Sequence, residues 1–338
     1  MKIKFTLTLF APLFLALSLQ AATEGTDYSS VGTLESNDPR FDQLVPPGAK
    51  IERLADGFIW AEGPVWSSKE RRLYFSDVPT NVVYQWTESE GVNSFIGASG
   101  YNGRNPRGGE PGSNGLTVDA KGRLVLCEHG NRRVSRMERD GFTTVAAFYR
   151  NRRFNSPNDL VFKSNGDLYF TDPPYGLEGN NQDPKKEIPF NGVYRVNKKG
   201  EVTLLTSALT FPNGIAFSPD EKILYVANSD PKRAIWMAYE VLRDGKLGEG
   251  RVFFDATSLV KTENPGLPDG LKVDLAGNLF ATGPGGVFVF APDGKHLGTI
   301  NTGVATANCA WGEDGSVLYI AANHWICRLK TKTKGKVP

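Results

Sequence analysis

Six short polar residues recur along the chain, and each opens an apolar run. They are Glu62, Asn114, Asn158, Asn213, Asp269 and Asn308, in the runs EGPVW, NGLTV, NDLVF, NGIAF, DGLKV and NCAWG. Carboxylate and carboxamide oxygens are the ligands that hard cations prefer, and an irregular set of them favours Ca²⁺ over Mg²⁺. If the six side chains converge, leaving them unpaired would be costly. The set therefore predicts a polar site, most simply a site for Ca²⁺.

Turn chemistry is the competing explanation for each motif taken singly. Asn and Asp tolerate unusual backbone angles and bond to their own backbone, so an Asn-Gly or Asp-Gly pair before a strand needs no further role. That explanation does not cover Glu62, nor Asn158, which is followed by Asp159. The six motifs taken together therefore favour a shared site.

Two other chemistries are disfavoured by the residues present. The three histidines, His129, His296 and His324, are scattered along the chain, and the three cysteines fall in apolar strands, so a zinc site is not indicated. The chain contains no G-x-S-x-G motif, and its strand-only periodicity does not suit the fold in which that serine nucleophile works.

The spacing of the motifs predicts the elements that must position them. Consecutive motifs lie 39–56 residues apart, which suits one four-stranded blade of a β-propeller. Each motif is followed by a second strand and then a third, in the segments LYFSD and VYQWT, LVLCEH and VSRME, LYFTD and VYRVN, LYVANS and IWMAYE, LFATG and VFVFA, LYIAAN and ICRLK. The sequence therefore predicts an all-β fold, a six-bladed β-propeller with four strands per blade.

The sixth blade lacks a fourth strand of its own, because only a lysine-rich tail follows ICRLK. The segment KIERLADGF, residues 50–58, has the character of the missing strand. We therefore predict that an N-terminal strand closes the last blade. The predicted organisation is a propeller over 49–330, preceded by a loosely attached lead segment over 22–48 and followed by a solvated basic tail over 331–338.

The first 21 residues have the pattern of a signal peptide. Lys2 and Lys4 precede the apolar stretch 5–19, which ends near Ala21 and Ala22. The apolar stretch is short for a membrane span, and we expect none. The predicted location is the periplasm or the extracellular medium.

Composition adds limits on partners and on redox chemistry. The formal net charge is +2, and nothing indicates a nucleic-acid partner. Cys127, Cys309 and Cys327 are predicted to be buried or half-buried free thiols, because strand spacing keeps the last two beyond disulfide reach and the first lies in another blade. No oligomeric state follows from the sequence.

Strand polarity places all six motif residues around one mouth of the propeller channel. Two long insertions, residues 97–113 and 173–191, fall on the same face. Loops of this length in a compact domain are often functional. The chemistry is therefore expected at this mouth.

The motifs also carry a resemblance to a known family. EGPVW, NGLTVDAKGRLVLCEHGNRRV, NSPNDLVFKSNGDLYFTDPPYGL, FPNGIAFSPDEKILYV and PDGLKVD resemble the senescence-marker-protein/gluconolactonase/luciferin-regenerating-enzyme-like family, bacterial gluconolactonase branch. The resemblance runs from about Ile51 to Lys330. It implies a six-bladed propeller with a divalent metal, most simply Ca²⁺, at the channel mouth.

The resemblance also assigns residues. It implies metal ligands at Glu62, Asn213 and Asp269, and places Asn158 at the metal or against the substrate. Asn114 matches a further substrate-pocket position. The sixth motif is a looser match, so Asn308 is left out of the ligand set.

The implied reaction is hydrolysis of a cyclic ester, with a small-molecule sugar 1,5-lactone such as gluconolactone as the leading substrate. A metal that polarises the ester carbonyl and a nearby carboxylate that takes a proton from water would suffice for it. Asp269 is the first choice for that base. His129 is the second choice, with Glu128 as another candidate base or a substrate contact, and Arg104 in the first insertion is a candidate contact for substrate hydroxyls.

Two other functions stay open. The same metal site could serve a phosphotriesterase-like enzyme or another esterase, because a cation polarises P=O as readily as C=O. A propeller of this kind could also bind a ligand at its mouth without catalysis. An acidic and amide-rich ring favours an enzyme over a binding module, whose rim would more naturally be apolar.

Overall fold

The computed structural model describes residues 28–105 and 107–338. The predicted signal peptide lies outside these ranges. Within them the structure is a six-bladed β-propeller whose sheets are all antiparallel, as the sequence predicts. In the first five blades the chain runs from an inner strand at the channel through successive strands to the fourth strand near the rim.

The N-terminal segment and the first three blades contain, in chain order, β1 (Ser30–Val31), β2 (Thr33–Ser36), α1 (Phe41–Leu44), β3 (Ile51–Asp56), β4 (Ala61–Ser67), β5 (Arg72–Asp77), β6 (Val82–Thr87), β7 (Gly91–Gly97), β8 (Ser113–Val118), β9 (Leu124–Glu128), β10 (Arg133–Glu138), β11 (Gly141–Ala146), β12 (Phe148–Tyr149), β13 (Arg152–Arg153), β14 (Leu160–Phe162), β15 (Leu168–Asp172), a 3₁₀ turn (Asn180–Gln182), β16 (Gly192–Val196) and β17 (Val202–Thr206). The last three blades contain β18 (Pro212–Phe217), β19 (Ile223–Asp230), β20 (Arg233–Val241), β21 (Leu247–Asp255), a 3₁₀ turn (Thr257–Leu259), β22 (Leu271–Val273), β23 (Leu279–Gly283), β24 (Gly286–Phe290), β25 (His296–Asn301), β26 (Asn308–Gly312), β27 (Val317–Ala322) and β28 (Trp325–Lys330).

The second strand of each blade forms the centre of the fold. Strands β5, β9, β15, β23 and β27 are buried or nearly so along their whole length, because neighbouring blades cover both faces of each sheet. This explains why these segments read as continuous apolar runs rather than alternating ones. The core accordingly lies between blades, in clusters of aliphatic and aromatic side chains.

The ring is closed as predicted. Strand β3 pairs antiparallel with β28, so the sixth blade takes its fourth strand from the N-terminal side of the chain. Trp66 of the first blade stacks on Tyr319 of the sixth, with ring centroids 5.4 Å apart. The seam between first and last blades is thus joined by backbone hydrogen bonds and by aromatic packing.

The lead segment is not loosely attached in its described part. Strand β1 pairs with β3, and β2 adds a fifth strand to the fifth blade by pairing with β25. Phe41 and Val45 are buried in the hydrophobic cluster between the fifth and sixth blades. The prediction missed this because short polar strands carry no periodic apolar signal.

The basic tail is also docked rather than solvated. Lys332 donates its backbone N–H to the Leu44 carbonyl at 2.8 Å, and Lys334 accepts from the Leu275 N–H at 2.8 Å. Gly335 lies against Trp311, where an added Cβ would come within 2.0 Å of the indole. Two lysine side chains also bond to the rest of the structure, since Lys332 Nζ donates to the Asp42 carbonyl at 2.8 Å and Lys334 pairs with Asp314. The run of lysines therefore wrongly indicated a solvated tail.

The thiol prediction is confirmed: Cys127, Cys309 and Cys327 are buried and unbridged. No helix within residues 28–105 and 107–338 is both long and apolar enough to cross a membrane.

Candidate active site

A cavity of about 530 Å³ lies at the mouth of the channel where the motif residues were expected. Five of the six motif residues line it, namely Glu62, Asn114, Asn158, Asn213 and Asp269. The structure therefore brings together residues that are separated by up to 207 positions in the chain. The larger cavity, of about 980 Å³, is bordered by Val118, Phe217 and the tail residue Val337, and none of the six motif residues lines it. We take the smaller cavity as the candidate active site.

The glycines of the motifs allow the inner strands to approach each other closely. A Cβ on Gly214 would lie 2.2 Å from the Asp269 carbonyl oxygen, and a Cβ on Gly270 would lie 1.9 Å from Asn308 Cγ. Neither glycine has a positive φ, so close packing rather than turn geometry requires them. Each such glycine abuts the polar residue of the next blade. The motif thus builds the ring as well as supplying its polar side chains.

Hydroxyl groups of the second strands fasten neighbouring motifs. Ser76 Oγ donates to the Asn114 carbonyl at 2.9 Å, and Thr171 Oγ1 donates to the Asn213 carbonyl at 2.7 Å. Each bond joins a blade to the following one. The backbone of the ring is therefore held by blade-to-blade bonds, which leaves the motif side chains free to face the channel.

Three buried side-chain oxygens at the site have no hydrogen-bond partner. They are Asn114 Oδ1, Asn158 Oδ1 and Asp269 Oδ1. Unpaired buried acceptors are uncommon because they lose their hydration without compensation. Their convergence on one cavity fits a bound cation or substrate that supplies the missing partner.

The carboxyl groups of Glu62 and Asp269 lie in a site that would be stabilised by a positive charge. Burial raises the pKa of Glu62, and the nearby Asp159 carboxylate raises it further. Burial also raises the pKa of Asp269 well above its ordinary value, with the Glu62 and Asp159 carboxylates adding to the effect. Like charges crowded in a buried site disfavour one another's ionisation. A divalent cation between them would reverse that repulsion.

No three His, Cys, Asp or Glu side chains of the described residues are arranged as a metal site by themselves. The candidate ligand set instead mixes carboxylates with carboxamides, which is ordinary for Ca²⁺. The donor set and the unpartnered oxygens together fit a hard cation held by Glu62, Asn213, Asp269 and Asn158.

Asn308 is turned away from that set. Its Nδ2 donates to Glu62 Oε2 at 3.0 Å, and its Oδ1 accepts from the Cys309 N–H at 2.9 Å. Lys272 Nζ lies 3.5 Å from the same Oδ1. Both ends of the amide are therefore engaged, and Asn308 holds the Glu62 carboxylate by a hydrogen bond.

Asp159 is a site residue that the sequence prediction did not include. It is 2% exposed, and its Oδ1 accepts from the Leu160 N–H at 2.8 Å. Its Oδ2 lies 3.5 Å from Asn308 Nδ2. Asp159 stands where most of the other motifs have glycine. That difference in the sequence could have identified it as a site residue. Its carboxylate adds to the negative charge near Glu62 and Asp269 and so raises the pKa of both.

His129 is buried and not on the surface, contrary to expectation for a residue in a turn. Its Nε2 lies 3.5 Å from Asn158 Nδ2, and its Nδ1 lies 3.2 Å from Glu110 Oε2. Glu110 itself lines the cavity from the first insertion. The structure therefore connects His129 to two cavity residues, of which Glu110 carried no motif signal.

Glu128 and Arg104 are not brought to the cavity. Glu128 is buried in the second blade, where its carboxylate accepts from Arg133 Nε at 2.7 Å and from Asn131 Nδ2 at 2.6 Å. Arg104 is exposed in the first insertion and is not among the residues that line the cavity. Neither position supports the substrate contact predicted for it. The physical reason for Glu128 is a cross-strand ion pair that ties up its oxygens.

The two insertions hold each other over one side of the cavity. Arg107 donates to the carbonyls of Gly130 and Gly176, and its guanidinium lies 5.3 Å from the Tyr101 ring centroid. Gly108 donates its N–H to Glu178 Oε1 at 2.6 Å. Arg107 therefore fastens the first insertion to the second by hydrogen bonds.

Comparison with known proteins identifies the family. Residues 60–324 match the family described as SMP-30/Gluconolactonase/LRE-like region. The gluconolactonase of Zymomonas mobilis is 40% identical over 334 residues, covering 94% of this chain and 91% of that protein. The pentonolactonase XacC of Haloferax volcanii is 26% identical over 267 residues, covering 77% and 80%.

Solved structures agree with the sequence comparison. A gluconolactonase from Xanthomonas campestris superposes with a TM-score of 0.78 at 31% identity, covering 92% of this chain and 99% of that one. The matched region includes every motif residue of the cavity. The chain therefore belongs to the SMP-30/gluconolactonase/LRE-like family.

Proposed function

We propose that this protein is a metal-dependent hydrolase that opens cyclic esters, with sugar 1,5-lactones such as gluconolactone as substrates and Ca²⁺ as the metal. The observation that carries the proposal is the convergence of five motif residues on one cavity with three buried, unpartnered oxygens. The names of its relatives, a gluconolactonase and a pentonolactonase, support a lactone as the substrate class.

In this proposal Glu62, Asn213, Asp269 and Asn158 hold the cation. When bound, the cation supplies Lewis-acid polarisation of the ester carbonyl and offsets the charge that develops on its oxygen. Asn213 is already oriented, because its Nδ2 donates to Ser229 Oγ at 2.9 Å. The ligands are therefore positioned by bonds within the protein.

The remaining steps use groups of the chain itself. Asp269 accepts the proton of the attacking water on the carboxylate oxygen that does not hold the cation; its Oδ1 is buried without a hydrogen-bond partner and is therefore available to the cation. Asn114 presents its amide group for substrate oxygens, and Trp60 and Tyr175 border the same cavity. His129 is the alternative base, although its two ring nitrogens face Asn158 and Glu110.

A pH-indicator assay on a panel of compounds tests the proposal. The panel should contain five- and six-membered sugar lactones, an open-chain ester and a phosphotriester, each with native, chelated and Ca²⁺-restored protein. We expect lactone opening that chelation removes and Ca²⁺ restores. Unchanged lactone hydrolysis after chelation would refute metal dependence. Faster turnover of the phosphotriester or the open-chain ester would favour the esterase alternatives, and cation binding without any turnover would favour a binding propeller.

We further propose export to the periplasm or the medium, on the strength of residues 1–21. Expression of the full chain in a Gram-negative host, followed by fractionation and mass determination of the mature N-terminus, tests this. Full-length protein confined to the cytoplasm would contradict it.

A further inference from the structure

His129 connects two residues of the cavity although it does not line the cavity itself. Its side chain is fully buried, its Nδ1 lies 3.2 Å from Glu110 Oε2, and its Nε2 lies 3.5 Å from Asn158 Nδ2. The Nδ1–Glu110 contact is at ion-pair distance without full hydrogen-bond geometry. The three side chains nevertheless form one row of contacts, Glu110–His129–Asn158, which ends at the unpartnered Asn158 Oδ1.

The number of protons available decides which atom donates and which accepts at each of these contacts. An ionised carboxylate only accepts hydrogen bonds, so the nitrogen facing Glu110 should carry the imidazole proton. A neutral imidazole has one proton, which leaves Nε2 as an acceptor. An acceptor at Nε2 requires the Asn158 amide to present its NH₂ group there. Asn158 Oδ1 must then point the other way, and it is the oxygen found buried without a partner.

The rest of Asn158 is fixed, so the amide orientation is the one property left to decide. Its backbone N–H donates to the Thr171 carbonyl at 2.9 Å, and its carbonyl accepts from the Gly115 N–H at 2.7 Å. The His129 side chain is fully buried, and the second insertion packs Gly176 against its Cβ, where an added Cβ on the glycine would lie 2.6 Å away. Rotation of the terminal amide by half a turn would exchange oxygen and nitrogen at the cavity.

We propose that Glu110 and His129 are positioning residues, which select the Nδ1–H tautomer of the imidazole and thereby hold Asn158 with its oxygen towards the cavity. The value of that oxygen to cation or substrate binding rests on the proposed function, whereas the orientation itself does not. His129 then acts through Asn158 and not as a base.

Histidine spectroscopy tests the orientation without any assay of activity. The chain contains three histidines, so protein labelled with ¹⁵N-histidine gives few ring signals, and His129→Phe identifies those of His129. We expect a protonated Nδ1 and an unprotonated Nε2. A proton on Nε2, alone or together with one on Nδ1, would overturn the proposal.

The role of Glu110 is tested by Glu110→Leu, a change at a partly exposed position that the fold should tolerate. The control is Glu249→Leu, which removes an equal charge from an exposed position in β21, away from both insertions. We expect Glu110→Leu to shift the His129 tautomer towards Nε2–H and Glu249→Leu to leave it unchanged. An unchanged tautomer in Glu110→Leu would remove Glu110 from the proposal.

A double-mutant cycle on Ca²⁺ affinity tests the consequence. Titration calorimetry is done on chelator-treated wild type, His129→Phe, Asn158→Ala and the double variant, with His296→Phe as a remote control. Loss of an outer partner typically weakens metal binding about 10–100-fold, and we expect His129→Phe to do so. In the Asn158→Ala background the same change should cost nothing further. Losses that multiply would show that His129 acts independently of Asn158.

The two proposals fail differently. A wild-type protein that opens no lactone would refute the proposed function while leaving the His129 tautomer as the test of orientation. A wild type that opens lactones but carries its proton on His129 Nε2 would refute the positioning pair alone.

Discussion

Replacing Glu62 by Gln should have opposite effects on the cation-free and the cation-bound protein. Glu62 is 1% exposed, and its Oε2 accepts from Asn308 Nδ2 at 3.0 Å and from the Gly63 N–H. Gln keeps an acceptor oxygen for both donors and is nearly isosteric. The substitution therefore removes the charge and leaves the hydrogen bonds, which isolates the electrostatic effect.

The magnitude follows from the pKa. Burial, together with the Asp159 carboxylate, raises the pKa of Glu62 from 4.5 to about 8. Between those values the folded protein keeps a proton that the unfolded chain releases, so stability falls as the pH rises from 4.5 to about 8. One pKa unit corresponds to about 1.4 kcal/mol, so the cost near pH 7 is at most about 3 kcal/mol. Gln avoids that cost.

Thermal and urea unfolding of chelator-treated protein, near pH 5, 7 and 9, measure the effect. We expect Glu62→Gln to raise Tm near pH 7 by up to about 4–5 °C, because the unfolding entropy of a chain of this length gives about 1.5 °C per kcal/mol, and to change it little near pH 5. When Ca²⁺ is added, the wild type should gain much more stability than the variant, because the variant has lost a charged ligand.

Glu128→Gln is the matched control, since Glu128 is also buried, at 2% exposure. Its carboxylate is paired with Arg133 at 2.7 Å, so removing the charge leaves the guanidinium unpaired. We expect Glu128→Gln to lower Tm at all three pH values. A cation-free Glu62→Gln protein that melts below the wild type near pH 7, or an increase that does not depend on pH, would refute the electrostatic reasoning.

Three further predictions concern the base, the ring and its closure. Asp269→Asn, assayed at saturating Ca²⁺ because this variant too loses a charged ligand, should lower kcat by about 10²–10⁴, the usual effect of removing a general base; a near-normal kcat in the loaded variant would move the base elsewhere. Gly270→Ala should lower both Tm and Ca²⁺ affinity, because its Cβ would lie 1.9 Å from Asn308 Cγ, whereas Gly97→Ala, with open space around the added methyl group, should change neither. Deleting residues 49–58 should abolish the cooperative unfolding transition, since β3 supplies the fourth strand of the last blade; a deletion variant that melts like the parent would contradict this.

The repeat made most of the fold predictable. A motif that recurs every 39–56 residues, followed each time by two strand segments, specifies blade number and strand order without any knowledge of contacts. The same counting showed that the sixth blade lacks a strand and pointed to residues 50–58. The prediction succeeded there because strand periodicity is local and topology follows from its repetition.

The candidate site was predictable in its ring but not in its surroundings. Glu62, Asn114, Asn158, Asn213 and Asp269 converge because they hold equivalent positions in successive blades. Glu128 also lies at the end of a second strand, but its carboxylate forms an ion pair with Arg133 and does not face the cavity. Whether a carboxylate faces a cavity or a neighbouring arginine depends on side-chain direction, which spacing alone does not specify.

The sequence by itself therefore determined the blades, their closure and the polar ring, since all three depend on periodicity along the chain. Tertiary structure decided the rest. It buried His129 between Glu110 and Asn158, turned Asn308 towards Glu62, and docked both terminal segments on the propeller. These contacts join residues from insertions, neighbouring blades and chain ends, and they depend on packing through space, which leaves no periodic trace in the sequence.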